Sequence, residues 1–411
     1  MNFSPVLLFL LTLLAPLHPA TAAEPRIVAI LIEGAKRTDR ETVLRLARVK
    51  EGDPWHEGLD TEARQLLLNA GIFYDVTVTA EQGTDGVRLR IALKDKWTLI
   101  PIPLISVKDG VTTWGGTVIE SNLLGTGANL FAFLSVKQSE LSGTLMYMDP
   151  HLGGTRFQLF GAFGHTGEQQ GIWDATAEIG SYLRQTTGGF LSVGYRFAAR
   201  SSIAVGLRLT DFSFSDPQEA AQPPADARER AISLMLRHEG TDSEEDRRQG
   251  LSALLHLETG VSIFGDEIGR TAVGGTVRWA GTLFGRDTLS LTGHALWTDT
   301  VDYETAMPAT GFLRGYETAR FRPDRLLGAS VEFQLPVATL RMATVSFVPF
   351  ADAALLRDRF RSFSFADAQA DVGLALAVYL RRVALPVLQI YGAYGFGVDK
   401  VLPGFSLGFG F

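Results

Sequence analysis

Five polar side chains in the second half of the chain could supply the chemistry of a hydrolytic site: Ser252, His256, Glu258, Ser290 and His294. A serine nucleophile needs a histidine within hydrogen-bond reach, and that histidine needs a carboxylate to orient it. The surrounding stretches, "LSALLHLE" and "DTLSLTGHALW", alternate strictly and put these residues on one face of two strands. No spacing ties a serine to a histidine, and polar residues two apart are what a strand lining a wet interior carries. "GTGANL" is no phosphate loop either, because it lacks the Gly-Lys-Ser/Thr ending and reads as a hairpin. The chain has no cysteine, which excludes thiolate metal sites and disulfides. The expectation is a protein that is not an enzyme and uses no cofactor or metal.

A second group points to structure rather than catalysis. "GFLRGYETARF" (311–321) places Arg314 beside Gly315 and Tyr316 in a long polar connector. "VPFADAA" supplies Phe350 and Asp352 at one parity, and Glu332 falls on the same face of the preceding strand. If the connector folds into a narrow interior, Arg314 must find a carboxylate, because an unpaired charge away from water is costly. Gly315 is expected to permit a sharp turn there.

The elements that would position these residues follow from periodicity. From Thr113 to Phe411 the pattern alternates with period two. "SIAVGLRLTDF" sets Ile203, Val205, Leu207 and Leu209 against Ala204, Gly206, Arg208 and Thr210, and "DVGLALAVYL" and "GFSLGFGF" repeat the trick. The pattern predicts sixteen strands, the first at 113–122, with 154–165, 173–184 and 187–199 among the next, and the last at 403–411. Strands of this length suit a tilted crossing of a bilayer, and the even number and small or charged second face suit a transmembrane β-barrel. The longest connectors, 215–228, 300–325 and 354–366, fall on one side, and tight turns such as "AARS" on the other. That asymmetry is expected of an outer-membrane barrel.

The first part of the chain reads differently. Residues 1–23 have an apolar core from Val6 to Leu14 followed by small residues, which predicts a cleaved secretory signal. Residues 24–97 predict an α+β domain of order β-α-α-β-β: "RIVAILI", two amphipathic helices, then the hairpin strands "IFYDVTVTA" and "VRLRIAL". Residues 98–112 are expected to be a linker. The formal charge of −7 argues against nucleic acid as a partner.

Together these parts resemble the outer-membrane protein assembly factor superfamily, also called the bacterial surface antigen family. The likeness to a POTRA domain rests on "ILIEGAKRTDRETVLRLARVKEGD", "LLLNAGIFYDVTV" and "RLRIALKDK". The barrel carries Asn122, Gly125 and Gly127 in "SNLLGTG", an Asp149-Pro150 strand end, and the Arg314-Gly315-Tyr316 loop motif. The family's Phe-x-Asp-x-Gly pattern has Ala354 in place of its glycine.

The resemblance implies a bacterial outer-membrane protein with its POTRA domain in the periplasm. It implies insertion of barrel precursors or passage of polypeptide, with the loop held inside the barrel by Arg314. Its partners would be unfolded outer-membrane or secreted polypeptides, the lipid bilayer and periplasmic accessory proteins. Clients would pair by β-augmentation along the edge "FYDVTVT", with Phe73, Tyr74, Val76 and Val78. Gly115 and Gly116 in the first expected strand, and Phe405, Phe409 and Phe411 in the last, would mark the barrel seam and the terminal assembly signal. A passive channel or structural barrel and a two-partner-secretion-type transporter are the alternatives.

Overall fold

A computed structural model describes residues 25–108, 111–173, 177–219, 221–244, 247–299, 312–317, 320–341, 343–358, 360–380, 385–398 and 400–407. The expected leader lies outside these residues, as do Phe409 and Phe411.

The N-terminal domain comprises β1 (Ile27–Glu33), α1 (Arg40–Ala47), α2 (Leu59–Asn69), β2 (Phe73–Gly83) and β3 (Gly86–Asp95). The sheet order is β1-β3-β2, with β1 parallel and β2 antiparallel to the central β3. Alternation buries Val87, Leu89, Ile91 and Leu93 of β3 under Val43 and Ala47 of α1 and Ala63 and Leu67 of α2. A core this small is closed by helices on one sheet face only.

The described residues continue as an antiparallel barrel of sixteen strands. It starts with β4 (Leu99–Lys108), β5 (Val111–Leu123), β6 (Ala128–Lys137) and β7 (Glu140–Asp149). Three long strands follow: β8 (Phe157–Trp173), β9 (Glu178–Ala198) and β10 (Ser201–Glu219). Next, β11 (Ala227–Glu239) resumes after a break as β12 (Asp242–Glu244), and the two count as one wall strand facing β13 (Arg247–Gly260). The wall is completed by β14 (Thr271–Gly281), β15 (Thr288–Thr298), β16 (Arg325–Thr339) and β17 (Ala343–Arg357). Finally come β18 (Gln369–Leu380), β19 (Leu385–Gly395) and β20 (Lys400–Leu407), which returns to β4.

The facing of side chains is the reverse of a soluble sandwich. Val205, Leu234 and Leu374 are exposed at 56%, 42% and 54%, while Ser202, Thr210, Ser233 and Asp371 are buried. Apolar residues outside and small or polar ones inside are the arrangement lipid demands of a barrel.

Two sequence expectations are corrected, and their errors cancel. Residues 99–108 are not a linker but the first barrel strand. Pro101 and Pro103 argue against a strand in general, yet β4 tolerates them because their missing N–H groups lie on the β20 side, away from the β5 ladder, and no described residue pairs with them there. Conversely, the expected strands 154–165, 173–184 and 187–199 are two, β8 and β9, paired from Phe157–Tyr195 up to Trp173–Glu178. The polar stretch "HTGEQQG" reads as a turn but continues β8 beyond the apolar belt. Strand 113–122 is therefore the second in the wall, and the count of sixteen survives.

The N-terminal domain docks on the turn after β5. Asn122 Nδ2 donates to Thr38 Oγ1 at 2.8 Å, and Asn122 Oδ1 accepts from the Gly127 amide at 2.8 Å. Gly125 has φ +80°, and a Cβ there would lie 2.7 Å from the Arg37 carbonyl. Arg48 also reaches the Ala199 carbonyl, and Asn69 donates to Asp242 at 2.8 Å. All these turns lie at one end of the barrel, and strand alternation sends the connectors 220–226, 299–324 and 358–368 to the other.

The docked rim contains an acid-sensitive contact. His151 Nε2 must accept from Arg196, 2.7 Å away, because a guanidinium only donates. Burial, then Arg196, Arg45 and Arg48, push the His151 pKa down to about 3 from its ordinary 6.5. A depressed histidine stabilises the folded state above its unfolded pKa, and that contribution fades as pH falls from about 6.5 toward 3. Hydrogen exchange of residues 150–156 is expected to accelerate across that window. His151→Gln, which cannot protonate, should flatten the response; an unchanged pH profile in that variant would refute the assignment.

Candidate functional site

The described parts of the connector between β15 and β16, residues 312–317 and 320–324, pack on the inner wall of the barrel. Leu313, Tyr316 and Phe321 are fully buried with Leu326, Ala354 and Leu356 of the wall. Ala354, where the family pattern has glycine, lies opposite Gly328, and Phe312 fills the space over that glycine. Phe312 stacks on His294, with centroids 4.6 Å apart.

Arg314 sits at the centre of this contact. Its Nε and Nη2 donate to the two oxygens of Asp352, each at 2.9 Å, in a bidentate pair. Its Nη1 donates to Glu332 Oε1 at 2.6 Å, so both carboxylates singled out in the sequence are engaged at once. The guanidinium carbon also lies 3.5 Å from the centre of the Phe350 ring. The Asp352 side chain is wholly buried, whereas Glu332 is 43% exposed, so the two partners carry unequal weight.

Gly315 is needed for a reason other than the expected turn, since its φ is not left-handed. A Cβ there would stand 2.6 Å from Asp371 Cβ and 2.7 Å from the Gly395 amide. The loop thus lies flat against β18 and β19. Tyr316 donates its hydroxyl to the carbonyls of Ala370 and Phe396, at 3.0 and 2.7 Å.

Sequence reasoning missed two parts of this site. Asp371, directly opposite Asp352 in the ladder and 1% exposed, adds a third carboxylate beneath the loop. Its inward parity was available, but nothing local linked it to Arg314. Glu317, which bonds Arg320 at 3.0 Å and contacts Lys400, ties the loop to the start of β20.

The residues with hydrolytic chemistry have other occupations. Glu258 bonds Arg208 at 2.9 Å and Arg270 at 3.1 Å, and Arg270 also meets Glu229 at 2.6 Å. His256 packs on Gly274. Ser252 faces Arg278 across the ladder, and Ser290 faces Glu332.

The seam is the second candidate feature. Among the described residues β20 meets β4 through three pairs, Phe405–Val107, Ser406–Ser106 and Leu407–Ile105, whereas β4 meets β5 through ten. Gly115 and Gly116 are not in the seam strand but one strand inside it, opposite Leu104 and Pro103. That correction follows from the strand at 99–108.

The third is the outer edge of the N-terminal sheet. β2 is an edge strand, with Phe73, Val76 and Val78 buried in the core and Tyr74 exposed. Arg64 Nε bonds the Val76 carbonyl at 3.1 Å. The opposite edge, β1, is covered: its Ile27 amide donates to Asp53 O, Ile30 N to Glu51, and Ile30 O accepts from Arg40.

The Omp85 superfamily domain matches residues 122–410, and the POTRA family described as a surface antigen variable number repeat matches 25–96. The chain belongs to the Omp85 superfamily. Membership and the sixteen-stranded wall make it an outer-membrane protein. Among solved structures, BamA from Haemophilus ducreyi lacking POTRA domains 1–3 is similar at 16% identity and TM-score 0.56, covering 94% of this chain and 85% of that one. CdiB from Acinetobacter baumannii gives 13% identity and TM-score 0.64, covering 93% and 73%. CdiB from Escherichia coli gives 12% and 0.62, covering 94% and 77%. At these identities the likeness is one of fold. A search of curated protein sequences finds no match.

Proposed function

We propose that this Omp85 protein inserts barrel precursors into the outer membrane or passes polypeptide across it, without catalytic residues. The observation that carries the reading is the seam. Pro101 and Pro103 have no N–H to give, so a strand lying along that part of β4 receives no donors from them. A seam short of donors is the place where the wall parts most easily, and an unpaired edge in lipid seeks a new strand. The loop held by Arg314 braces the wall on the β20 side of the seam, β16 to β19, while the seam opens.

The POTRA domain, on the periplasmic side, would deliver clients by β-augmentation along β2, since β1 is already covered. Periplasmic accessory proteins would use the same domain. A passive channel has no use for an open POTRA edge, and a two-partner-secretion transporter would use both features on a secreted client.

Proline at Val76 or Val78 tests the delivery step. Within a strand, the amide and carbonyl of one residue point to the same side. Arg64 bonding the Val76 carbonyl therefore marks the Val76 and Val78 amides as facing away from β3. Proline there should remove client pairing and leave the sheet ladder and the heat-modifiable barrel intact. Normal client handling by such a variant would reject β-augmentation at β2.

A further inference from the structure

We propose that the joint between the POTRA domain and the barrel rim binds the phosphate headgroup of an anionic phospholipid. A cavity of about 560 Å³ there is lined by Arg45, Arg48, Arg156, Arg196 and His151, and by no carboxylate. Arg45 comes from α1 and Arg48 caps it, whereas Arg156 precedes β8 and Arg196 lies near the end of β9. The four guanidiniums thus come half from each domain.

Their protein partners are neutral. Arg45 donates to Thr42 Oγ1 at 3.1 Å and to the Thr126 carbonyl at 2.7 Å, and its Nε is buried without a partner. Arg48 donates to the Ala199 carbonyl, and Arg196 to the Pro150 carbonyl at 3.0 Å and to His151. None of the four forms an ion pair among the described residues. Burial lowers the pKa of Arg48; Glu62 offsets part of this, and Arg200 and Arg156 add to it. Like charges gathered from two domains oppose docking unless an anion sits between them.

The position selects the anion's source. Phe197, 50% exposed on the lipid side, lines the same cavity. Phe157 and Tyr195, with centroids 5.4 Å apart, extend an outward aromatic face beside it. Aromatic residues mark the membrane interface, and arginines just beyond them meet headgroup phosphates. A bound headgroup would link Arg45 and Arg48 to Arg156 and Arg196 and so fasten the POTRA domain to the rim. This inference does not depend on the insertion reading.

The test uses the full chain in detergent, titrated with short-chain phosphatidylglycerol, short-chain phosphatidylcholine and inorganic phosphate, with binding counted by native mass spectrometry. Phosphatidylglycerol should bind more tightly than either comparator. Arg48→Gln with Arg156→Gln should weaken it by roughly thirtyfold, as the loss of two surface guanidiniums implies. Arg156→Gln alone, at an exposed turn position, should give a smaller loss in the same direction and guards against misfolding of the double variant. Equal binding of the two lipids, or affinity unchanged by both variants, would overturn the site. Inorganic phosphate binding as tightly as phosphatidylglycerol would overturn its assignment to lipid.

Discussion

Arg314→Ala is expected to destabilise the barrel by about 3–5 kcal/mol, the range for stripping one partner from a buried ion pair. The figure belongs mainly to Asp352, whose side chain is wholly buried and which would be left facing Asp371 with no cation between them. Glu332 contributes less, because at 43% exposure it can take up water when the guanidinium leaves. The double variant Arg314→Ala/Asp352→Ala should cost less than the sum of the two single changes, since it leaves no orphaned carboxylate at 352. The same cycle with Glu332→Ala should couple by no more than ~1 kcal/mol. Unfolding transitions in detergent measure both cycles, and protease added from outside should cut the β15–β16 connector faster in Arg314→Ala. Strict additivity of Arg314 and Asp352 would show that the pair holds nothing together.

The contrast between the two carboxylates shows what the sequence could reveal. Alternation fixes facing, so the shared side of Phe350, Asp352 and Glu332 could be read without a structure. Which of them pairs with Arg314 depends on where a loop lands, and the answer is both. Asp371 and the carbonyls that receive the Tyr316 hydroxyl were hidden for the same reason: they belong to strands remote in sequence. The first wall strand was hidden by its prolines. "LIPIPLIS" is nonetheless too apolar for a solvated linker, and that was the signal available. The missed strand also moved the seam, carrying Gly115 and Gly116 away from it. A seam is a property of which strand comes first, and one wrong boundary relocates it.

That relocation defines the other large effect. Ser106 and Ser406 face each other in the antiparallel seam, and Ser106 Oγ donates to the Phe405 carbonyl at 3.3 Å. Directly opposed antiparallel residues have Cα atoms about 4.5–5.5 Å apart, within the range a disulfide spans. The chain has no cysteine, so Ser106→Cys with Ser406→Cys can form one intramolecular bridge. When oxidised, this variant should remain folded and heat-modifiable, yet its handling of polypeptide clients should fall to background. Reduction should restore it. A bridge between Ala253→Cys and Val277→Cys, opposed on β13 and β14, serves as the control, since that pair lies in a ladder of ten residues far from the seam. The energetic reason is the pair of prolines on the seam side of β4. At about 0.5–1.5 kcal/mol net per hydrogen bond, the donors that Pro101 and Pro103 lack weaken the seam relative to a full ladder. A covalent bridge keeps the seam shut without changing the lumen, the Arg314 site or the POTRA edge. If the oxidised seam variant handled clients as well as the reduced one, polypeptide would have to travel through the lumen past the Arg314 loop. Arg314→Ala, by loosening that loop, would then raise passage.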